Sequence, residues 1–302
     1  MYDLITFGNI TADLFFKADN LTIKGKRFYL AIGGKYFLDE FKLSVGGSGA
    51  NVAIGAKKNR LKTSICGVIG NNEFRKAILH KLKLKGVSLK LILFKQIHMN
   101  ISVILLRDNG ERTIINYESP KQDLRFSDKL IKKVKNTRAV YLGNLQDVPL
   151  KDRVRLMEFL KKKNITCFTN LSTVDTKRRK NNLVPLLKLT DVLVLNRYEA
   201  AELLKIDPKK LNLKVNILEK IRELKGRILI ITDAENGSYV YDDNNVYYQK
   251  AIKPKKIVDT TGAGDGYTAG FIAEYLKTKD IKKSMRKGAF YAAKIIGRIG
   301  AN

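Results

Sequence analysis

Segments that read as strands alternate with segments that read as helices along most of this chain, and that alternation constrains the fold more than any other feature. Short apolar runs at residues 2–7, 63–68, 139–142, 165–169, 192–195 and 228–232 have the length and composition of buried strands. Helical spacing of apolar residues marks 49–60, 73–84, 126–135, 151–162, 197–204 and 214–224 between them. Such alternation predicts an α/β protein: a doubly wound, mainly parallel sheet with helices on both faces. Two pairs of extended runs interrupt the pattern. Residues 26–32 with 37–45 about Gly33-Gly34, and 101–107 with 112–116 about Asn109-Gly110, are each predicted to form an antiparallel hairpin. No low-complexity linker or internal repeat divides the 302 residues, so one α/β domain spanning 1–302 is expected, with the hairpins as excursions from it.

Composition narrows the function classes. No stretch approaches the ~18 apolar residues of a membrane span, and the N-terminus lacks the basic-then-apolar pattern of a signal peptide. A cytoplasmic protein with no membrane partner is the expectation. Cys66 and Cys167 fall in predicted buried strands without metal-ligand spacing and read as core thiols. His80 and His98 are isolated and receive no catalytic role. The charge is extreme, with 58 Lys and Arg against 29 Asp and Glu and a net of +29. A field of that sign attracts ATP, sugar phosphates and nucleic acid alike. The lysines are nevertheless spread along helix faces and ends, with no recognition motif or aromatic interleaving, so no specific nucleic-acid partner is expected.

Chemistry concentrates in two glycine clusters. Asp259-Thr260-Thr261-Gly262-Ala263-Gly264-Asp265 follows the extended run Lys256-Ile257-Val258 and precedes a helical stripe through Phe271, Ile272, Tyr275 and Leu276. The glycines thus lie at a helix start, where unpaired amides and the helix dipole converge on an anion. Asp265 is out of place beside an anion unless it accepts the proton of a hydroxyl attacking a phosphoryl group; the alternative is that it merely complements the dipole. Val45-Gly46-Gly47-Ser48-Gly49-Ala50-Asn51-Val52-Ala53 also passes from an extended run into a helix. It is neither a P-loop nor a dinucleotide fingerprint, and it offers bare backbone and the Asn51 amide to a polar ligand. Upstream, Leu4 to Asp13 reads as a strand ending in a turn that carries the Asp13 carboxylate.

In this order, at the two ends of the chain, these pieces resemble the ribokinase-like (PfkB) family of small-molecule kinases. Gly46, Gly47, Gly49, Asn51 and Ala53 match its N-terminal signature, and Asp259, Thr261, Gly262, Gly264 and Asp265 match its C-terminal one. The resemblance implies an ATP- and Mg2+-dependent kinase phosphorylating a hydroxymethyl group of a small sugar. Asp265 would be the general base and Gly262, Ala263 and Gly264 the anion hole. Asp13, Gly46, Gly47 and Asn51 would bind the acceptor. Asn196 and Glu199, at the end of a strand, match the family's Asn-x-x-Glu motif for magnesium and ATP phosphates, with Glu199 acting through water; by themselves they equally read as a helix cap and its capping-box partner. Thr232 and Gly237 match the family's nucleotide loop, whose intervening glycine is here Ala234; a positive φ there would cost alanine about 1 kcal/mol or more. Residues 14–45 and 99–117 would form a small β lid, with a homodimer through it as one arrangement. A nucleoside acceptor stands as the alternative, with Asn170-Leu171-Ser172 similar to adenosine-kinase relatives. From another class, an inactive relative acting as a binding or nucleic-acid-associated protein is the alternative. Family chains run on past the Gly300-Ala301 pair, so weak occupancy of a monovalent-cation site and loose discrimination among nucleotide donors are also expected.

Overall fold

The structure, a computed structural model, describes residues 1–25, 27–119, 124–221 and 224–302. Its centre is an eight-stranded sheet ordered Val246–Gln249, Ser238–Tyr241, Ile228–Thr232, Val192–Asn196, Thr166–Asn170, Thr137–Leu142, Tyr2–Phe7 and Thr63–Cys66. The six strands from Ile228–Thr232 to Thr63–Cys66 pair in parallel, and the two at the other edge are antiparallel. Successive side chains on a strand point to opposite faces. Ile5, Phe7, Val140 and Leu193 therefore enter one core, while Leu4, Tyr141, Val192 and Ile230 enter another on the opposite face. Helices Ser48–Lys58, Ala263–Thr278 and Ile281–Ile296 supply residues to the second core; Leu150–Lys161, Lys180–Leu189 and Arg197–Leu204 supply the first. The expected doubly wound α/β architecture is present, and Cys66 and Cys167 are buried free thiols within it.

A separate four-stranded sheet is ordered Arg112–Tyr117, Asn100–Leu106, Thr11–Lys17 and Glu40–Gly46. The hairpin of residues 101–107 with 112–116 forms as predicted. The other does not. Glu40–Gly46 pairs over seven residues with Thr11–Lys17, and Arg27–Tyr29 pairs instead with Thr22–Lys24; Lys26, part of that expectation, lies outside the described residues. The long partner wins because it also buries Val45 in a core shared with helices Ser48–Lys58 and Arg75–Leu84. Asp13 sits within a strand rather than at a turn for the same reason: its strand is paired on both sides.

Three further expectations change. The helix over 214–224 does not form: among the described residues Leu218–Lys220 is a 3-10 turn and Leu224 is also in 3-10 conformation, with 222 and 223 outside them. Asn212 and Asn216 accept bonds from the amides of Lys214 and Leu218, local turns that compete with a helix. The run over 63–68 divides at Gly67, and Val68–Ile69 pairs with Leu93–Phe94 outside the main sheet. The extended run before Asp259 joins no strand; the amides of Val258 and Asp259 both donate to the Ile296 carbonyl. Helices Lys180–Leu189 and Ile281–Ile296 were not anticipated. Among the described residues no helix is long and apolar enough to cross a membrane.

Candidate active site

A cavity of about 250 Å³ opens between the small sheet and the loops that follow strands of the large one. Asp13 projects into it from the small sheet and Asp265 from the first turn of helix Ala263–Thr278. Thr11 donates its hydroxyl to Asp13 at 2.8 Å. Residue 46 has to be glycine here, since a Cβ would overlap the Asp13 carboxylate. Burial drives the Asp13 carboxyl up to about 6, against the pull of the Thr11 and Ser102 hydroxyls.

Asp265 is held by a relay of amides. The Asn51 Nδ2 donates to Asp265 Oδ2 at 2.8 Å, and the Asn51 Oδ1 accepts from Asn302 Nδ2 at 3.0 Å. Asn302 Nδ2 also donates to the Val45 carbonyl at 2.6 Å. Asn51 keeps one Nδ2 hydrogen for a ligand, because a primary amide has two donors. Burial raises the Asp265 carboxyl to about 6; the Asn51 bond opposes this and the nearby Asp13 charge adds to it. A carboxyl poised there is a base at neutral pH that is readily protonated below it.

The helix under Asp265 starts at Gly262, whose φ of +72° suits glycine and whose missing side chain makes room for Ala301. Asp259 shapes the approach: it accepts from the Thr261 amide at 2.8 Å, the Thr261 hydroxyl at 2.6 Å and the Gly300 amide at 2.9 Å. The Ala263 amide donates to the Thr260 carbonyl at 3.4 Å. The amides of Gly264 and Asp265 have no intrahelical partner, as in any first turn, and a Cβ on Gly264 would meet open space. Arg112 reaches this motif from the small sheet, bonding the Thr260 hydroxyl, with its Nε 3.8 Å from Asp259 Oδ1. A cation beside bare helix amides adds to the attraction for a phosphoryl group.

Asn196 and Thr232 end adjacent parallel strands in register with one another. They do not line the cavity, and neither do Glu199 and Gly237. Asn196 caps helix Arg197–Leu204 in a complete capping box: its side chain accepts from the Glu199 amide at 2.9 Å, and Glu199 Oε2 accepts from the Asn196 amide at 2.8 Å. Asn170 donates to the same Oε2 at 3.4 Å. Burial raises the Glu199 carboxyl, and the charge of Asp265 contributes, so the two carboxylates share one electrostatic neighbourhood. Residues 232–238 form a turn between antiparallel strands, and Ala234 has φ +47°. The glycine-like position anticipated there is real. Among the described residues no group of three or more His, Cys, Asp or Glu converges as a metal cage. Glu199, with the Asn170 and Asn196 side chains hydrogen-bonded beside it, offers hard oxygen donors of the kind Mg2+ takes alongside water and substrate phosphates.

Arg112 and Asn302 escaped the sequence reading. Arg112 begins a mostly exposed strand and Asn302 lies beyond the last helix, so neither carries a local signal. Asp13, Gly47, Asn51, Gly262 and Asp265, in contrast, all line the one cavity.

With this geometry in place, comparison with known proteins is consistent throughout. The chain is 24% identical over 309 residues to an ATP-dependent 6-phosphofructokinase of Thermoanaerobacterium thermosaccharolyticum, covering 99% of this chain and 89% of that one. Its fold superposes on Arabidopsis thaliana ribokinase complexed with ribose and ATP at a TM-score of 0.79, with 22% identity and coverage of 99% and 94%. A Burkholderia thailandensis nucleoside kinase in complex with inosine gives 0.78, with 15% identity and coverage of 99% and 92%. The profile described as pfkB family carbohydrate kinase matches residues 3–302. This chain therefore belongs to the pfkB family of carbohydrate kinases, phosphotransferases with an alcohol group as acceptor.

Proposed function

We propose that the chain phosphorylates a hydroxymethyl group of a small sugar that is not already phosphorylated, with ATP as donor. The lining of the cavity carries this reading. Asn9, Asp13, Asn100, Ser102, Asn116 and Asn144 offer hydrogen bonds from several sides, as a polyol requires. Asp13, Glu118 and Asp265 are the charged groups among the described lining residues. A phosphate on the acceptor would face three carboxylates. Among the described lining residues Tyr117 supplies the one aromatic ring, short of the pair that would sandwich a base.

In the proposed reaction Asp13 and the free Asn51 hydrogen orient the acceptor. Asp265 takes the hydroxyl proton as that oxygen attacks the γ-phosphorus and the bond to ADP breaks. The Gly262–Gly264 backbone and Arg112 stabilise the charge that develops on the transferred group. Glu199 Oε1, free of the two bonds made by Oε2, would hold Mg2+ through water near Asn196 and Thr232, and the ion would neutralise the donor phosphates. The small sheet acts as the lid that excludes water. Its exposed apolar residues Phe41 and Ile115, with Phe37 of the loop before it, support a homodimer through that face. Light scattering of the purified protein tests the dimer.

The decisive experiment is an ADP-release assay over neutral sugars, sugar phosphates and nucleosides, with Asp265→Asn as control. A neutral sugar should be turned over, and the variant should lose at least the ~10²-fold that a general base contributes. Turnover confined to sugar phosphates or nucleosides would overturn the acceptor assignment. A fully active variant would overturn the role of Asp265.

A further inference from the structure

Away from the cavity, several cations meet where elements remote in sequence end. Lys42 lies on strand Glu40–Gly46, Lys58 ends helix Ser48–Lys58, and Lys81 and Lys85 lie at the end of helix Arg75–Leu84. Arg298 follows helix Ile281–Ile296. Strand and first two helices pack through one core containing Val45, Ile54, Ile78 and Leu82, which brings their ends together. The Lys57 side chain reaches Gly86, bridging the two helix ends. Lys42 Nζ donates to the Ile299 carbonyl at 2.7 Å, which ties Arg298 to the same edge.

This cluster is uncompensated. None of the five makes an ion pair among the described residues; Arg298 Nε and Nη2 are buried with no hydrogen bond of good geometry, the Tyr291 hydroxyl lying against that guanidinium. Burial followed by the charges of Arg298, Lys85, Lys294 and Lys42 pulls the Lys58 ammonium down to about 8. Lys85 is lowered by burial and then by Arg298, Lys42 and Lys81. Lys42 is lowered chiefly by burial, with Arg298 and Lys81 adding to the effect; Glu40 and Asp259 oppose it. Asp259 is already engaged by Thr261, Gly300 and Arg112. Here the charges crowd one another, mostly at half-buried positions, and the Arg298 guanidinium faces only the neutral Tyr291 hydroxyl.

We propose that Lys42, Lys58, Lys81, Lys85 and Arg298 form a second anion site, separate from the anion hole, that binds a multiply charged phosphate. Clustered ammonium groups match the oxygens of adjacent phosphates, the Arg298 charge adds to the attraction, and each charge-assisted bond there also relieves repulsion. The site stands at one end of a short strip whose other end is in the active centre. Lys42 holds Ile299, Gly300 holds Asp259, and Asn302 holds Asn51 and through it Asp265.

Calorimetric titration with inorganic tripolyphosphate tests the proposal. The parent should show two sites. Lys58→Glu/Lys85→Glu should show one, the lost site being weakened about tenfold or more, the scale of two charge-assisted contacts. Lys58→Met provides an independent reading: it should melt at a higher temperature than the parent without anion and gain less from tripolyphosphate. Pyrophosphate and ATP in place of tripolyphosphate distinguish a free polyphosphate from a nucleotide. The same stoichiometry and affinity in parent and double variant would overturn the proposal. So would a DNA duplex that displaces tripolyphosphate from the cluster and binds it more tightly, which would mark a nucleic-acid surface instead.

Discussion

Ala234 offers a quantitative test of the turn between strands Ile228–Thr232 and Ser238–Tyr241. Its φ of +47° lies in the left-handed region, which costs an L-residue roughly 1–2 kcal/mol. Ala234→Gly removes that strain but returns conformational freedom to the unfolded chain, an opposing term of about 0.4–1 kcal/mol. Residue 234 is exposed, so deleting its methyl group forfeits no core burial. Its carbonyl still accepts the Gly237 amide at 3.2 Å. The expected net effect is stabilisation by about 0.5–1 kcal/mol, a rise of roughly 2 °C in melting temperature for a chain of this size. Urea unfolding should show a higher midpoint with an unchanged slope, since the surface exposed on unfolding is the same. Gly237→Ala, three residues on, should have the opposite sign. Gly237 has φ +99°, and a Cβ would overlap the Gln249 carbonyl. An Ala234→Gly midpoint at or below that of the parent would refute the reasoning, because it would mean the turn carries no left-handed strain at 234.

The other predictions concern catalysis. Asp265 and Asp13 are each raised to about 6, chiefly by burial, and titrate as an interacting pair. The rate should fall as pH drops through about 6, and Asp13→Asn should move that limb to lower pH by removing a like charge; a limb near 4 in the parent would contradict this. The same shifts have a stability sign. Raised carboxyl groups favour the folded state below the ordinary carboxylate range, and that contribution is lost as pH rises through about 6. Asp265→Asn should therefore be more stable than the parent at pH 7 but not at pH 4, as thermal melts at the two pH values would show. Glu199→Gln preserves a capping-box side chain, so the helix should persist while the Mg2+ needed for half-maximal rate rises by about tenfold, the scale of losing an outer-sphere partner. An unchanged Mg2+ titration would leave Glu199 as a cap alone. Asn302→Ala should lower kcat by about tenfold through loss of a buried hydrogen bond to Asn51. Steady-state kinetics would show whether KM for ATP stays constant, as a residue acting through the base requires.

Much of the fold was legible because its signals are local. A strand such as Val192–Asn196 or a helix such as Arg197–Leu204 declares itself through side-chain period and capping residues within a few positions. The turn that opens helix Ala263–Thr278 is equally self-contained: Gly262 takes a positive φ where a side chain would meet Ala301, and Asp265 is conspicuous beside it. Errors arose where local signals competed. Asn212 and Asn216 sit in an apolar run of helical spacing, yet their short amides capture nearby backbone amides and break it.

By itself, then, the amino-acid order determined the element types, the α/β class, the two glycine turns and the carboxylates that could act there. Tertiary structure alone decided which strand Glu40–Gly46 joins, that Asp13 and Asp265 share one cavity, and that Arg112 meets Thr260 and Asn302 meets Asn51. The division has a physical cause. Period, turns and caps depend on neighbours within about one helical turn, whereas a strand's partner is chosen by the burial of the whole assembled core. A hydrogen bond between Asn51 and Asn302, 251 residues apart, leaves no trace in the residues around either of them.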